Sequence, residues 1–148
     1  LIIVIIIITG VWYTSGTQKY SVNTATWPPG GGWGSNQDIK GYAWMKQNLP
    51  LNTRVAPMLD AGHLVGMDLF NCVWCKEEKE IYEGSINKSA EEIYNILKKH
   101  NYAYAVFDTN YLQKYGFNET EAKINSLLTS NNFHVAYQDT GFIVLGVR

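Results

Sequence analysis

The chain has 148 residues, a formal net charge of -1 and an aromatic content of 14%. That length suits one domain beside a short membrane segment, and the aromatic share is enough for a real core. The charge balance excludes a nucleic-acid surface, which shows a clustered basic face; the densest basic patch here is Lys98-Lys99.

The first element is the apolar run Leu1-Ile-Ile-Val-Ile-Ile-Ile-Ile8. A spanning helix needs about 20 mostly apolar residues, and this run supplies roughly half. Neither a basic stretch ahead of it nor a small-residue cleavage site marks a secretory signal. We read residues 1–13 as the end of a transmembrane helix lying mostly upstream, with Trp12 and Tyr13 at the interfacial aromatic belt. The competing reading is a buried first strand, since Ile and Val favour strands. Between Tyr13 and Lys40 the only basic residue is Lys19, which favours the extracytoplasmic side for the following domain. Asn87-Lys-Ser89 and Asn118-Glu-Thr120 fit the N-glycosylation pattern, a tripeptide that is common by chance.

Residues 14–34 form a polar connector ending in Trp27-Pro-Pro-Gly-Gly-Gly-Trp33-Gly34. Pro fixes φ and Gly frees it, so an irregular linker is expected. The stretch lacks the lysine of a phosphate-binding loop.

Residues 35–148 carry alternating helix and strand patterns and predict an α/β fold, a mixed-sheet layered soluble domain. Ser35 caps a helix with Asp38 in its first turn and a stripe of Ile39, Tyr42, Ala43 and Met45, ending at Asn48-Leu-Pro50. Residues 53–59 read as a strand, with Pro57 marking an edge or end. A short helix or turn at 64–67 and a short strand at 69–74 follow. Ser89-Ala-Glu-Glu92 is a capping box opening a helix through Ile93, Ile96 and Leu97, closed by Asn101. Residues 102–107 are the clearest buried strand. A helix opening at Asn118 turns Ala122, Leu127 and Leu128 to the core, and residues 133–137 and 142–147 pair as a hairpin.

Two local groups bear chemistry. Asp60-Ala-Gly-His63 lies on the loop after a strand, where sites on α/β sheets form. Asp60 and His63 suit metal binding or acid/base work; the plainer reading is an Asx turn with Gly62 at positive φ. Cys72-Val-Trp-Cys75 supplies half of a zinc site or a redox pair, but a local disulfide or two packed thiols is preferred. His100 and His134 read as structural, and no paired carboxylates with a shared site emerge.

Gly41-Tyr-Ala-Trp-Met-Lys-Gln-Asn-Leu-Pro50, then Asn52-Thr-Arg-Val-Ala-Pro-Met-Leu-Asp-Ala-Gly62, Tyr104-Ala-Val-Phe-Asp108 and the terminal strand pair follow one another in an informative order. Residues 37–148 thereby resemble the C-terminal domain of polytopic membrane glycosyltransferases that use polyprenyl-phosphate sugars. These include mannosyltransferase-like and oligosaccharyltransferase-like families. Oligosaccharyltransferase catalytic subunits carry Trp-Trp-Asp-Tyr-Gly where this chain has Met58-Leu-Asp-Ala-Gly62, so the likeness is to the broader group. The resemblance implies that the catalytic acid lies in an early loop outside residues 1–148. This domain would then shape acceptor access, with Asp60, Gly62 and His63 as substrate contacts. It implies no catalytic residue, metal or cofactor held here; a divalent cation would belong to the catalytic part. The implied partners are membrane lipid, a lipid-linked sugar donor and a protein, lipid or glycan acceptor. The alternatives are a membrane-anchored extracytoplasmic sensor or ligand-binding module, and a tethered thiol oxidoreductase using Cys72 and Cys75.

Overall fold

The apolar run Phe142-Ile-Val-Leu-Gly-Val147 is buried along nearly its whole length, which requires a strand covered on both faces. A computed structural model shows how this is achieved. It describes Thr9, Gly10, Tyr13, residues 35–59, Leu64, Leu69 and residues 76–148, with residues 77 and 78 described by backbone alone. The chain divides into two compact units, Leu1–Ser35 and Asn36–Arg148. In the first, Thr9 and Gly10 are helical and exposed, as is the Tyr13 side chain. Among the described residues no helix is long and apolar enough to cross a membrane.

The second unit is α/β. In chain order it runs α1 (Asn36–Asn48), β1 (Val55–Pro57), α2 (Lys76–Tyr82), α3 (Ala90–Lys99), β2 (Tyr104–Phe107), α4 (Thr109–Tyr115), α5 (Phe117–Thr129), β3 (Phe133–Asp139) and β4 (Phe142–Val147). The four strands form one mixed sheet in the order β1-β2-β4-β3. β1 and β2 are parallel, with Ala56 opposite Ala105. β4 is antiparallel to both β2 and β3, with Leu145 opposite Ala105 on one side and Val135 on the other. The β3–β4 hairpin closes through Thr140 and Gly141, the latter at φ 80°, a conformation suited to glycine. A register shift between Val135 and Tyr137 bulges β3.

Alternation along the strands divides the core into two layers. Val106, Phe142 and Val144 point with Val55 to one face, where Tyr42 and Met45 of α1, and Leu49 just after it, cover them. Ala105, Phe107, Ile143 and Leu145 point to the other, against Ile81, Ile93, Leu97, Tyr111 and Leu127 from the remaining helices. On the α1 face, Trp44 stacks on Tyr137 with centroids 5.0 Å apart.

Local signals set several element ends. Ser89 Oγ accepts the Glu92 amide at 3.1 Å, and Glu92 Oε2 accepts the Ser89 amide at 2.6 Å, a complete capping box. Replacing Ser89 by Ala removes the side-chain acceptor and is expected to lower stability by about 1 kcal/mol, measured by denaturant unfolding. Asn101, at φ 57°, ends α3 as its short polar side chain permits. Gly116, at φ 86°, closes α4 and opens α5, so the two helices meet at a sharp corner.

Three details differ from the sequence pattern. On α1, Ile39 is 59% exposed and Ala43 is exposed, whereas Asp38 and Gly41 are buried. On α5, Ala122 faces solvent, and Thr120, Lys123 and Leu127 are buried. Lys123 Nζ donates to the Lys88 carbonyl, so its stem packs while its charge stays solvated by a backbone acceptor. The helix α4 has no counterpart in the sequence reading: its seven residues are too few to show a period.

Candidate functional site

The expected site residues Asp60, Gly62 and His63 lie outside the described residues, as do Cys72 and Cys75. The two other histidines are placed. His100 ends α3, and its ring lies 3.2 Å from Glu80; that contact holds the Glu80 carboxyl below its ordinary range. His134 is exposed on β3.

A different acid occupies the position where sheet sites form. Asp108 follows β2 directly, at the carboxyl end of the parallel pair, yet is buried. Its Oδ1 accepts the Tyr111 amide at 3.1 Å and so caps α4. Its Oδ2 accepts the Tyr42 hydroxyl of α1 at 3.2 Å and the Asn110 side-chain amide at 3.4 Å. A second buried acid stands beside it: Asp38 Oδ1 accepts the Thr109 amide at 2.9 Å, and Oδ2 accepts the Thr109 hydroxyl. The first turn of α1 is thereby tied to the start of α4.

Burial is the main force on the Asp108 proton and raises its pKa above the ordinary value of 3.8. The Tyr111 amide opposes that shift, the Asp38 charge adds to it, and the Tyr42 and Asn110 bonds oppose it again. The folded chain therefore holds this proton more tightly than the unfolded chain, and stability falls as pH rises from about 3.8 through the folded value. Asp108→Asn retains a capping oxygen but no charge. It is expected to flatten this part of the stability curve and to be at least as stable as wild type at neutral pH. Urea unfolding from mildly acidic to neutral pH checks this. The lowered carboxyls of Glu80 and Glu92 act in the opposite sense, so the difference between variant and wild type is the quantity to read.

Asp108 also lines a cleft of about 260 Å³ between α5, the end of β2 and the β3–β4 turn. Its α5 wall consists of Phe117, Thr120, Glu121, Ile124, Asn125 and Leu128, a single helical stripe at spacings of three and four. Phe107 and Ile143 form apolar wall from the sheet, and Gln138 and Asp139 stand at the hairpin end. Three carboxylates thus border the cleft, and no Lys, Arg or His does among the described residues. Among those residues no group of three or more His, Cys, Asp or Glu side chains is arranged to hold a metal ion.

The stripe was not legible as a site because it mixes apolar and polar residues and so resembles an ordinary half-buried helix face. Asp108 carried a signal, an acid immediately after a buried apolar strand, though its partner Tyr42 lies 66 residues away. Fold and site together define an α/β domain with helices on both faces of a mixed sheet and an acid-lined cleft at one end. No protein-family model matches the chain, and no curated protein matches it.

Proposed function

We propose that the chain is the C-terminal extracytoplasmic domain of a polytopic membrane glycosyltransferase that draws on a polyprenyl-phosphate-linked sugar, and that it shapes acceptor access rather than supplying the catalytic acid. The observation that carries this reading is where the resembling segments fall. Trp44 and Met45 lie on α1, Asn48-Leu-Pro50 ends it, and Tyr104-Ala-Val-Phe-Asp108 is β2 with its acid. Segments 66 residues apart then meet, because Tyr42 donates to Asp108. Two of the resembling segments, far apart in the chain, thus pack against each other. Asp60, Gly62 and His63 are the proposed acceptor contacts.

The second reading is a membrane-anchored extracytoplasmic sensor or ligand-binding module without catalysis. The acid-lined cleft favours it, since a concave, partly apolar site with a few polar groups is what a small ligand requires. Sequencing the reading frame upstream of Leu1 separates the two. On the order of ten apolar spans of about 20 residues, with an acid in an early loop, is the result expected of the glycosyltransferase. A single span overturns it and leaves the binding module.

A further inference from the structure

We propose that Asn87 is an N-glycosylation site of the folded domain, and that Asn118, which opens the same tripeptide pattern, is not. In the cell the proposal rests on the extracytoplasmic placement of the domain given above, where a lipid-linked glycan is transferred; its test on the purified protein does not.

Asn87-Lys-Ser89 and Asn118-Glu-Thr120 are alike in covalent pattern. The pattern joins a side-chain amide to a hydroxyl two residues on, so an acceptor has to present both groups together. Local structure separates the two tripeptides on that requirement.

Asn87 stands exposed in the turn between α2 and α3. Gly84, at φ 67°, reverses the chain, and its carbonyl accepts the Asn87 amide at 2.9 Å and the Lys88 amide at 3.3 Å. Ser85, buried in the same turn, donates to the Met58 carbonyl at 3.3 Å and so anchors the turn just past the end of β1. Ser89 is also exposed, and its backbone is extended, at φ -64° and ψ 162°. Neither residue lies within a helix. Capping α3 occupies one lone pair of the Ser89 hydroxyl, through the Glu92 amide, and leaves its proton and second lone pair for another partner.

Asn118 is the second residue of α5. Side chains two residues apart on a helix do not face each other. Asn118 is accordingly exposed, whereas Thr120 is 4% exposed and its hydroxyl oxygen is sealed from solvent. The Thr120 amide bonds to the Gly116 carbonyl at 3.2 Å and holds the tripeptide in the helix. An enzyme approaching this surface meets the Asn118 amide without the hydroxyl.

The donor is a glycan linked through diphosphate to a polyprenol. The Asn87 side-chain nitrogen forms a bond to the anomeric carbon, and the bond from that carbon to the phosphate oxygen breaks. The polyprenyl diphosphate leaves, and one amide proton passes to a base of the transferase. The product is bulky and solubilising, which an exposed turn accommodates.

The test is to incubate the purified, folded full-length protein with an oligosaccharyltransferase and a polyprenyl-diphosphate-linked glycan. Peptide mass spectrometry then reads the occupancy of each asparagine. Transfer to Asn87 is expected, with Asn118 at least about tenfold less occupied, because its hydroxyl is reached only when the first turn of α5 opens. Short synthetic peptides carrying either tripeptide should both be accepted, since neither holds the fold. Asn87→Gln is expected to abolish the transfer, and Ser89→Thr, which keeps both hydroxyl and cap, to retain it. No transfer to Asn87, equal occupancy of the two sites in the folded protein, or refusal of the Asn118 peptide overturns the assignment. A protein that accepts the glycan in vitro yet carries none when isolated from its own membrane counts against the extracytoplasmic reading and not against the site.

Discussion

Replacing Gly41 by alanine is expected to destabilise the domain by about 3 kcal/mol, the upper end of the usual cost of overpacking. A Cβ at this position would stand 2.2 Å from two atoms of the Phe142 ring and 2.6 Å from a third. The ring has little room to retreat. It is 1% exposed, with the edge of Tyr42 at 5.1 Å and Tyr137 at 6.2 Å. Alanine is the better helix former by about 1 kcal/mol, so the clash has to exceed that gain before any loss appears. Trimming Phe142 to Leu should restore space. The double variant Gly41→Ala/Phe142→Leu is therefore expected to lose less than the sum of the singles, a positive coupling read by urea unfolding. Strict additivity would show that α1 does not owe its close approach to the absent side chain.

Removing Asp38 is expected to cost a similar amount, about 3 kcal/mol, through hydrogen bonding rather than packing. The carboxylate is buried and accepts both the amide and the hydroxyl of Thr109. Bonds to a charged acceptor contribute about 1.5–3 kcal/mol each, and Asp38→Ala leaves two half-buried donors of Thr109 with nothing in that place. One effect works against the loss. Asp38 raises the proton affinity of Asp108, so its removal relieves a repulsion between two buried acids. The Asp108 carboxyl should then titrate closer to the ordinary range, a shift that NMR titration of its carboxyl carbon would read. The cost and the shift are expected together. Lost stability with an unmoved Asp108 titration would show that the two acids do not sense one another.

Much of the architecture was legible because it is local. The capping box at Ser89 involves residues three apart, and both its bonds form. The run 142–147 is apolar on both sides of the strand, so it had to be covered on both faces, and it is. The hairpin followed from two strand patterns joined by a tight turn with a glycine. These features depend on the chemistry of neighbours in the chain.

What only the tertiary structure decided depends on neighbours in space. Helical spacing puts Ile39 on the core stripe of α1 and Asp38 in its first turn, yet the helix turns Asp38 inward and leaves Ile39 in solvent. The rotation of α1 is set by Phe142 packing against Gly41 and by Thr109 binding Asp38, partners 101 and 71 residues distant, which no window on the sequence contains. The cleft has the same origin. Its acids and its apolar wall come from β2, α5 and the hairpin, each an ordinary segment alone. Sequence determined the elements because backbone hydrogen bonding and side-chain period are short-range. The third dimension determined the site because concavity and uncompensated charge exist only once separate elements pack together.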